Sequence, residues 1–336
     1  MAQDKMQFGV NVNTRWPVIF PGETAGRRML DFAEAIEAAG VYDYVVAGDN
    51  FLSTPRYECL TTLAAVAART RRVKLASACL ISPLRHTAWL ALEWATIDQL
   101  SGGRTVLNIC VGGVRAGSTG VPFEVQYQAV GVPHTRRGEV LEDQILFLRK
   151  AWNEETVTYK SDFINLAGVP LAPKPLQKPY PPIWVSNNPQ RFGFNTPSIV
   201  RAMRRIARLA DGWMTAAADA AEFRTGWDMV RKLADEEKRD WREILPSYQM
   251  TVNVGPDRAA ARREANDFLN QYYITSFKAL EDSYWVKDGF GTPDDVIARI
   301  KAQQEAGCRL VCLRFAAKDQ FEQLDRFTRL VVPAFH

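Results

Sequence analysis

Two periods alternate along the chain. Short runs dominated by apolar and β-branched residues give way to longer stretches whose apolar positions recur roughly every 3.6 residues, the period of a one-sided helix. The short runs predict strands at 7–12 (QFGVNV), 44–48 (YVVAG), 73–80 (VKLASACL), 105–111 (TVLNICV), 183–186 (IWVS), 212–216 (GWMTA), 248–254 (YQMTVNV) and 309–315 (RLVCLRF). The longer stretches predict helices over 24–39, 58–70, 86–100, 135–152, 197–209, 219–238, 257–272, 293–306 and 321–332. Local chemistry agrees at several ends. Thr292 reads as an N-cap before Pro293, with Asp294 and Asp295 in the first turn. Gly40 and Gly307 stand where helices must stop before strands.

Eight strands alternating with helices in 336 residues predict one α/β domain over 1–336, a (β/α)8 TIM barrel rather than an open doubly wound sheet. The first strand runs into TRWPVIFPG, not into the glycine fingerprint of a dinucleotide-binding turn. Three stretches depart from the simple repeat: an insertion at 112–134 after the fourth strand, another between the seventh and eighth, and a short hairpin-like segment with a proline-rich arm at 153–182 before the fifth. The run IDQLSGGRTVLNICVGG, 97–113, passes through both ends of the barrel. SGGR is the turn at the bottom, and Gly112-Gly113 lie at the top, where glycine lets a backbone approach a ligand closely.

Composition narrows the class. A net charge of +4 with acids and bases interleaved gives no basic stripe, so no nucleic-acid partner is expected. No apolar run approaches the ~18 residues of a membrane span or resembles a signal peptide, which predicts no membrane partner and a cytoplasmic location. The five cysteines form no CxxC pair and no cluster with histidine, so reduced thiols and no metal site are expected.

The stretch RHTAWLALEWATIDQLSGGRTVLNICVGG, 85–113, resembles the signature of the bacterial-luciferase-like flavin-dependent oxidoreductases. The resemblance continues in order through YDYVVAGDNF, VPHTRRGEVLEDQILFLRKAW, PKPLQKPYPPIWVSNN, ARLADGWM and GTPDDVIARIKAQQEAGCRLVCLRF, nearly the whole chain. It implies a flavin-type cofactor across the top of the barrel. In most members this is reduced FMN supplied by a separate NAD(P)H-dependent flavin reductase; in a large branch it is a deazaflavin hydride carrier. A homodimer or homotetramer is expected.

The resemblance also implies site residues. Asn108, in an otherwise apolar strand, would hydrogen-bond the cofactor or satisfy a barrel partner. Ser186, Asn187 and Asn188 would hold the phosphate or ribityl chain, or form only a polar loop. Ser77, Ala78 and Cys79 end the third strand, where relatives often carry a cis peptide beneath the ring; Cys79 and Cys110 would line the pocket or simply pack. His134 would orient the cofactor or handle a proton, Arg136 or Arg137 would meet phosphate or an acidic substrate, and His86 would brace a turn. Asn11 and Asn13, at the first strand's tip, would touch the ring edge or substrate, and Asn11 and Asp49 join His134 as catalytic candidates. Tyr273, Phe277, Tyr284 and Trp285 would form an aromatic lid or ordinary packing.

One departure bears on chemistry. Many relatives carry Asp-His-Phe at the second strand's tip, and the deazaflavin branch commonly uses that His for proton handling. This chain has Asp49-Asn50-Phe51, and an amide cannot exchange a proton near neutral pH. The expectation is therefore a two-component monooxygenase in which reduced FMN and O2 supply a peroxyflavin that oxygenates a small organic substrate. The alternatives are a deazaflavin-dependent oxidoreductase and a non-catalytic flavin-binding relative.

Overall fold

A computed structural model describes residues 5–22, 24–52, 55–113, 121–273 and 287–335. In chain order its strands are β1 (Gln7–Asn11), β2 (Tyr44–Ala47), β3 (Lys74–Ser77), β4 (Leu80–Ile81), β5 (Thr105–Cys110), β6 (Thr156–Lys160), β7 (Asn165–Pro170), β8 (Ile183–Ser186), β9 (Gly212–Ala216), β10 (Leu245–Val254), β11 (Gly289–Gly291) and β12 (Leu310–Phe315). Eight of these, β1, β2, β3, β5, β8, β9, β10 and β12, pair in parallel in that order. β12 then pairs with β1 from Gln7↔Leu310 to Val10↔Leu313, which closes the ring. Each barrel strand is one of those expected from the sequence.

The helices are α1 (Trp16–Ile19), α2 (Ala25–Ala38), α3 (Cys59–Arg69), α4 (Thr87–Ser101), α5 (Phe123–Ala129), α6 (Arg137–Asn153), α7 (Pro197–Leu209), α8 (Ala220–Glu236), α9 (Arg258–Tyr273), α10 (Pro293–Glu305) and α11 (Gln320–Leu330). Thr292 and Asp295 form a reciprocal capping box at the start of α10, as their spacing predicts. The third strand is not continuous over 73–80: the Ala78–Cys79 peptide is cis, and the chain resumes as β4, paired with β5 at Leu80↔Ile109. β6 and β7 form an antiparallel hairpin before β8.

Side chains plug the barrel's interior, because inward positions alternate along each strand. Tyr44, Val46, Ala76, Val106, Trp184, Met214, Leu310 and Cys312 form this inner cluster. Two glycines make room for its largest members. A Cβ at Gly9 would sit 3.0 Å from the Tyr44 Cβ, and one at Gly212 would sit 2.4 Å from Trp184.

The bottom turn is fully hydrogen-bonded. Gly102, at φ 74, caps α4 in the left-handed conformation, where glycine carries no Cβ clash. Asp98 is fully buried and accepts from the Thr105 hydroxyl (2.7 Å), the backbone N–H groups of Leu176 (2.7 Å) and Gln177 (3.1 Å), and the Gln177 amide (2.7 Å). Arg104 donates to the carbonyls of Ser101, Val73, Ala67 and Thr70. Asp98 thereby ties the proline-rich arm beneath the barrel, leaving the opposite end for a ligand.

Candidate active site

The tips of β3, β5 and β8 bring Ser77, Asn108 and Ser186 together. Ser77 Oγ donates to the Asn108 carbonyl (2.7 Å) and accepts from the Asn108 N–H (2.9 Å), locking two strands at the point where β3 stops. Asn108 is fully buried. Its Oδ1 accepts from the Ser186 hydroxyl (2.9 Å), and its Nδ2 donates to the Met214 sulfur (3.2 Å). Asn108 therefore satisfies a barrel partner and orients the hydroxyl of half-buried Ser186.

Beside Ser186 sit two thiols. Hydrogen bonds with Cys110 and Ser186 hold Cys79 below the ordinary thiol range, while Cys79 and burial push Cys110 up. Both are half-buried, unlike Cys59, Cys308 and Cys312, which are core.

The flanking amides are used by the backbone. Asn188 Oδ1 accepts from the Ala216 N–H (2.8 Å) and the Thr215 hydroxyl (3.1 Å), which fixes the β8 exit against β9. Asn187 donates from its backbone to Met214 (3.0 Å). Asn11 Oδ1 accepts from the Asn13 N–H (2.7 Å), and Asn13 Oδ1 from the Arg15 N–H (3.2 Å), a ladder that turns the chain off β1. Asn11, a catalytic candidate from the sequence, spends its side-chain oxygen on this turn.

Asp49 also departs from expectation. Both its oxygens take the Arg85 fork, at 2.7 and 2.8 Å, and Oδ2 also accepts from Ile81 N–H at 3.0 Å. A carboxylate held this way is a brace between the β2 tip and β4, not a free acid or base. His86, expected to brace the next turn, is exposed at the N-cap of α4 with no capping hydrogen bond from its side chain.

His134 stands at the mouth. It lies just before α6, its ring 5.2 Å from Tyr127, whose hydroxyl donates to the Val111 carbonyl (2.8 Å) beyond the β5 tip. Desolvation and the adjacent Arg137 lower the imidazole pKa, although a hydrogen bond with the Gly113 backbone opposes them. Nε2 is buried without a partner, and in the neutral imidazole one ring nitrogen carries a basic lone pair. Arg137 donates to the His134 carbonyl (2.7 Å), and its Nε is buried without a partner.

Gly112 and Gly113 serve packing. A Cβ on Gly113 would lie 2.6 Å from the Phe123 ring, and Gly112 adopts φ 69, so both positions make room for α5. Among the lid residues, Tyr273 ends α9, whereas Phe277, Tyr284 and Trp285 lie outside the described residues, as does 114–120 of the loop after β5. A groove of about 790 Å3 between α3 and α4 is lined by Asn50, Phe51, Arg56, Leu84, His86 and Trp89.

The geometry, a plugged barrel with polar groups converging at one end, fits the family signal. The model of the luciferase-like monooxygenase family matches residues 6–310. The chain belongs to this family. It is 25% identical over 328 residues to an FMNH(2)-dependent dimethylsulfone monooxygenase of Pseudomonas putida, covering 90% of this chain and 85% of that protein. It is 22% identical over 337 residues to an F420-dependent glucose-6-phosphate dehydrogenase of Amycolatopsis mediterranei, covering 91% and 94%. The crystal structure of monooxygenase RslO1 from Streptomyces bottropensis superposes with a TM-score of 0.76 at 20% identity, covering 98% of each chain, and shares the fold. Members of this family are oxidoreductases of the flavin or deazaflavin type.

Sequence reasoning missed a group across the mouth: Arg15 after β1 and Arg314 in β12, both over the Tyr272 ring, and Arg56 after β2, near enough to act on its phenol. One signal was available. Leu310 and Cys312 point inward, so period two puts Arg314 inward as well, a cation inside a barrel.

Proposed function

We propose that this protein is a reduced-FMN-dependent monooxygenase, served by a separate NAD(P)H-dependent flavin reductase, that inserts one oxygen atom of O2 into a small organic substrate. The observation that carries the reading is the second strand's tip. Asp49 is locked on Arg85 and Asn50 cannot exchange a proton, so the position that handles protons in the deazaflavin branch holds no working acid or base. The dimethylsulfone monooxygenase relative supports the same choice.

The residues present fit a flavin. Small Ala78, just past the end of β3, leaves room for a flat ring. Ser186 presents an acceptor toward the ribityl hydroxyls, and the unpartnered Nε of Arg137 suits a phosphate. Reduced FMN, when bound, supplies the electron pair that activates O2. The protein's part is to orient substrate, exclude water and manage protons. His134 receives or returns a proton at Nε2, its neutral form being favoured by burial and Arg137.

Anaerobic fluorescence titration tests the assignment. Reduced FMN should bind more tightly than oxidised FMN, and O2 uptake should follow when reduced FMN and substrate are mixed with the protein. Tight deazaflavin binding without FMN binding would replace this reading with hydride transfer, which the F420-dependent relative favours.

A further inference from the structure

Arg15 is fully buried, yet none of Nε, Nη1 and Nη2 has a hydrogen-bond partner. Its company is the face of Tyr272, 4.8 Å from the guanidinium carbon. Arg314 lies 5.0 Å from the same ring, with its own nitrogens on the Thr251 hydroxyl (2.6 Å) and the Tyr273 hydroxyl (2.9 Å). Arg56 reaches in from the β2 side. Its Nη1 is 3.4 Å from Thr14 Oγ1 and 3.1 Å from where a Gly48 Cβ would sit, and its Nε is buried without a partner. Glycine at 48 is what admits this guanidinium beside the Ala78 carbonyl.

Three cations thus converge at one end of β12, β1 and β2. Burial, and then the neighbouring Arg56 and Arg314, push Arg15 down to about 10, against the partial support of Tyr272 and Tyr273, so it stays charged at neutral pH. The same arginines draw the Tyr272 phenol down although burial opposes them. Among the described residues neither Arg15 nor Arg56 forms an ion pair. Asp288 faces Arg314, but it also accepts from the Tyr248 hydroxyl (3.0 Å), and burial pushes its carboxyl up to about 6. Leaving a buried guanidinium without an acceptor is costly, and its planar fork matches an oxyanion. The acceptor Arg15 lacks is not in the described protein.

We propose that Arg15, with Arg56 and Arg314, forms the seat for an oxyanion head, a carboxylate or sulfonate, on the substrate. This rests on the reading of the mouth as the place where substrate meets cofactor. The strand order supports a division of labour: β12, β1 and β2 lie across the ring from β8, where Ser186 faces the proposed cofactor tail. The head is held on one side, and its apolar remainder extends toward Ala78 and Cys79.

Titration calorimetry of the cofactor-free protein with hexanoate, hexanesulfonate and neutral hexanol tests this directly. At least one anion should bind about tenfold or more tightly than hexanol, since a site built to donate rejects ligands without acceptors. That preference should weaken as salt rises. Arg15→Met should abolish the preference, leave reduced-FMN affinity unchanged and raise the melting temperature by removing an uncompensated charge. Arg56→Gln should also reduce the preference, and serves if Arg15→Met does not fold. Anion binding no tighter than that of hexanol, or a preference that Arg15→Met leaves intact, overturns the proposal. So does an Arg15→Met protein that loses reduced-FMN affinity while keeping anion binding, which would give these arginines to the cofactor phosphate. Because the titration uses no cofactor, a protein that proves to bind a deazaflavin instead leaves this result standing.

Discussion

Asp98 and Arg104 beneath the barrel and the cations at its mouth treat buried polar atoms in opposite ways. At the bottom, both oxygens of Asp98 and all three side-chain nitrogens of Arg104 are hydrogen-bonded within the protein. At the mouth, the nitrogens of Arg15, Nε2 of His134, and Nε of Arg56 and Arg137 are buried with none. A polar atom removed from water contributes to stability when its partner is in the same chain; without that partner it is a cost that a ligand can offset. The run from 97 to 113 crosses from one regime to the other within a single strand.

Mutations can break or sharpen this contrast. Asp98→Ala should have the largest effect on stability. It strands two backbone N–H groups and the buried Thr105 hydroxyl, and should lower the unfolding free energy by about 4 kcal/mol. Urea denaturation measures this, and a loss near zero would mean that the arm relaxes to water.

His134→Ala should do the reverse, sparing stability and slowing product formation by about 10²-fold, the lower range for general acid–base help. Coupling of O2 uptake to product, rather than to hydrogen peroxide, is the readout. The wild-type acid limb should lie below the ordinary imidazole range, in keeping with the lowered pKa, and vanish in the mutant.

Asp288 supplies a stability test by pH. Its folded pKa, about 6, lies above its unfolded one, so its contribution is complete below about pH 4 and is lost as pH rises toward 6. Asp288→Asn should flatten that decline, worth about 3 kcal/mol, in thermal melts taken across the window. An unchanged slope would mean that Arg314 and the Tyr248 hydroxyl hold the carboxylate ionised.

Ser186→Ala should have the smallest effect, weakening reduced-FMN binding by about 1 kcal/mol with little change in melting temperature, because its hydroxyl is half-buried at the β8 tip, beside Asn108 and Cys79. A drop in stability with unchanged affinity would make it a strut for Asn108.

Much of the barrel was legible in the sequence because periodicity reports local geometry. All eight barrel strands and the long helices stand where the apolar pattern puts them. Short elements escaped. α1 and α5 are too brief for a helical period, and β4 is two residues beyond a cis peptide that no apolar pattern encodes. At the site, the sequence brought Ser77, Asn108, Ser186 and His134 to the top face, but residue type could not say which polar atoms were already taken. Asp49 looked available until Arg85 was found on both its oxygens.

What the sequence determined by itself was the alternation of strand and helix, the glycine-capped turn at 102, the Asp98 and Arg104 positions beneath the barrel, and the exchange of a titratable His for Asn50. Each depends on neighbours a few residues away or on side-chain identity alone. Only the closed barrel decided that Arg15 and Arg314, far apart in the chain, share one aromatic ring with Arg56 acting on it from nearby, and that Phe123 fills the space Gly113 leaves. Whether a charge is paired depends on which groups closure brings within hydrogen-bonding reach, and no spacing along a single strand contains that distance.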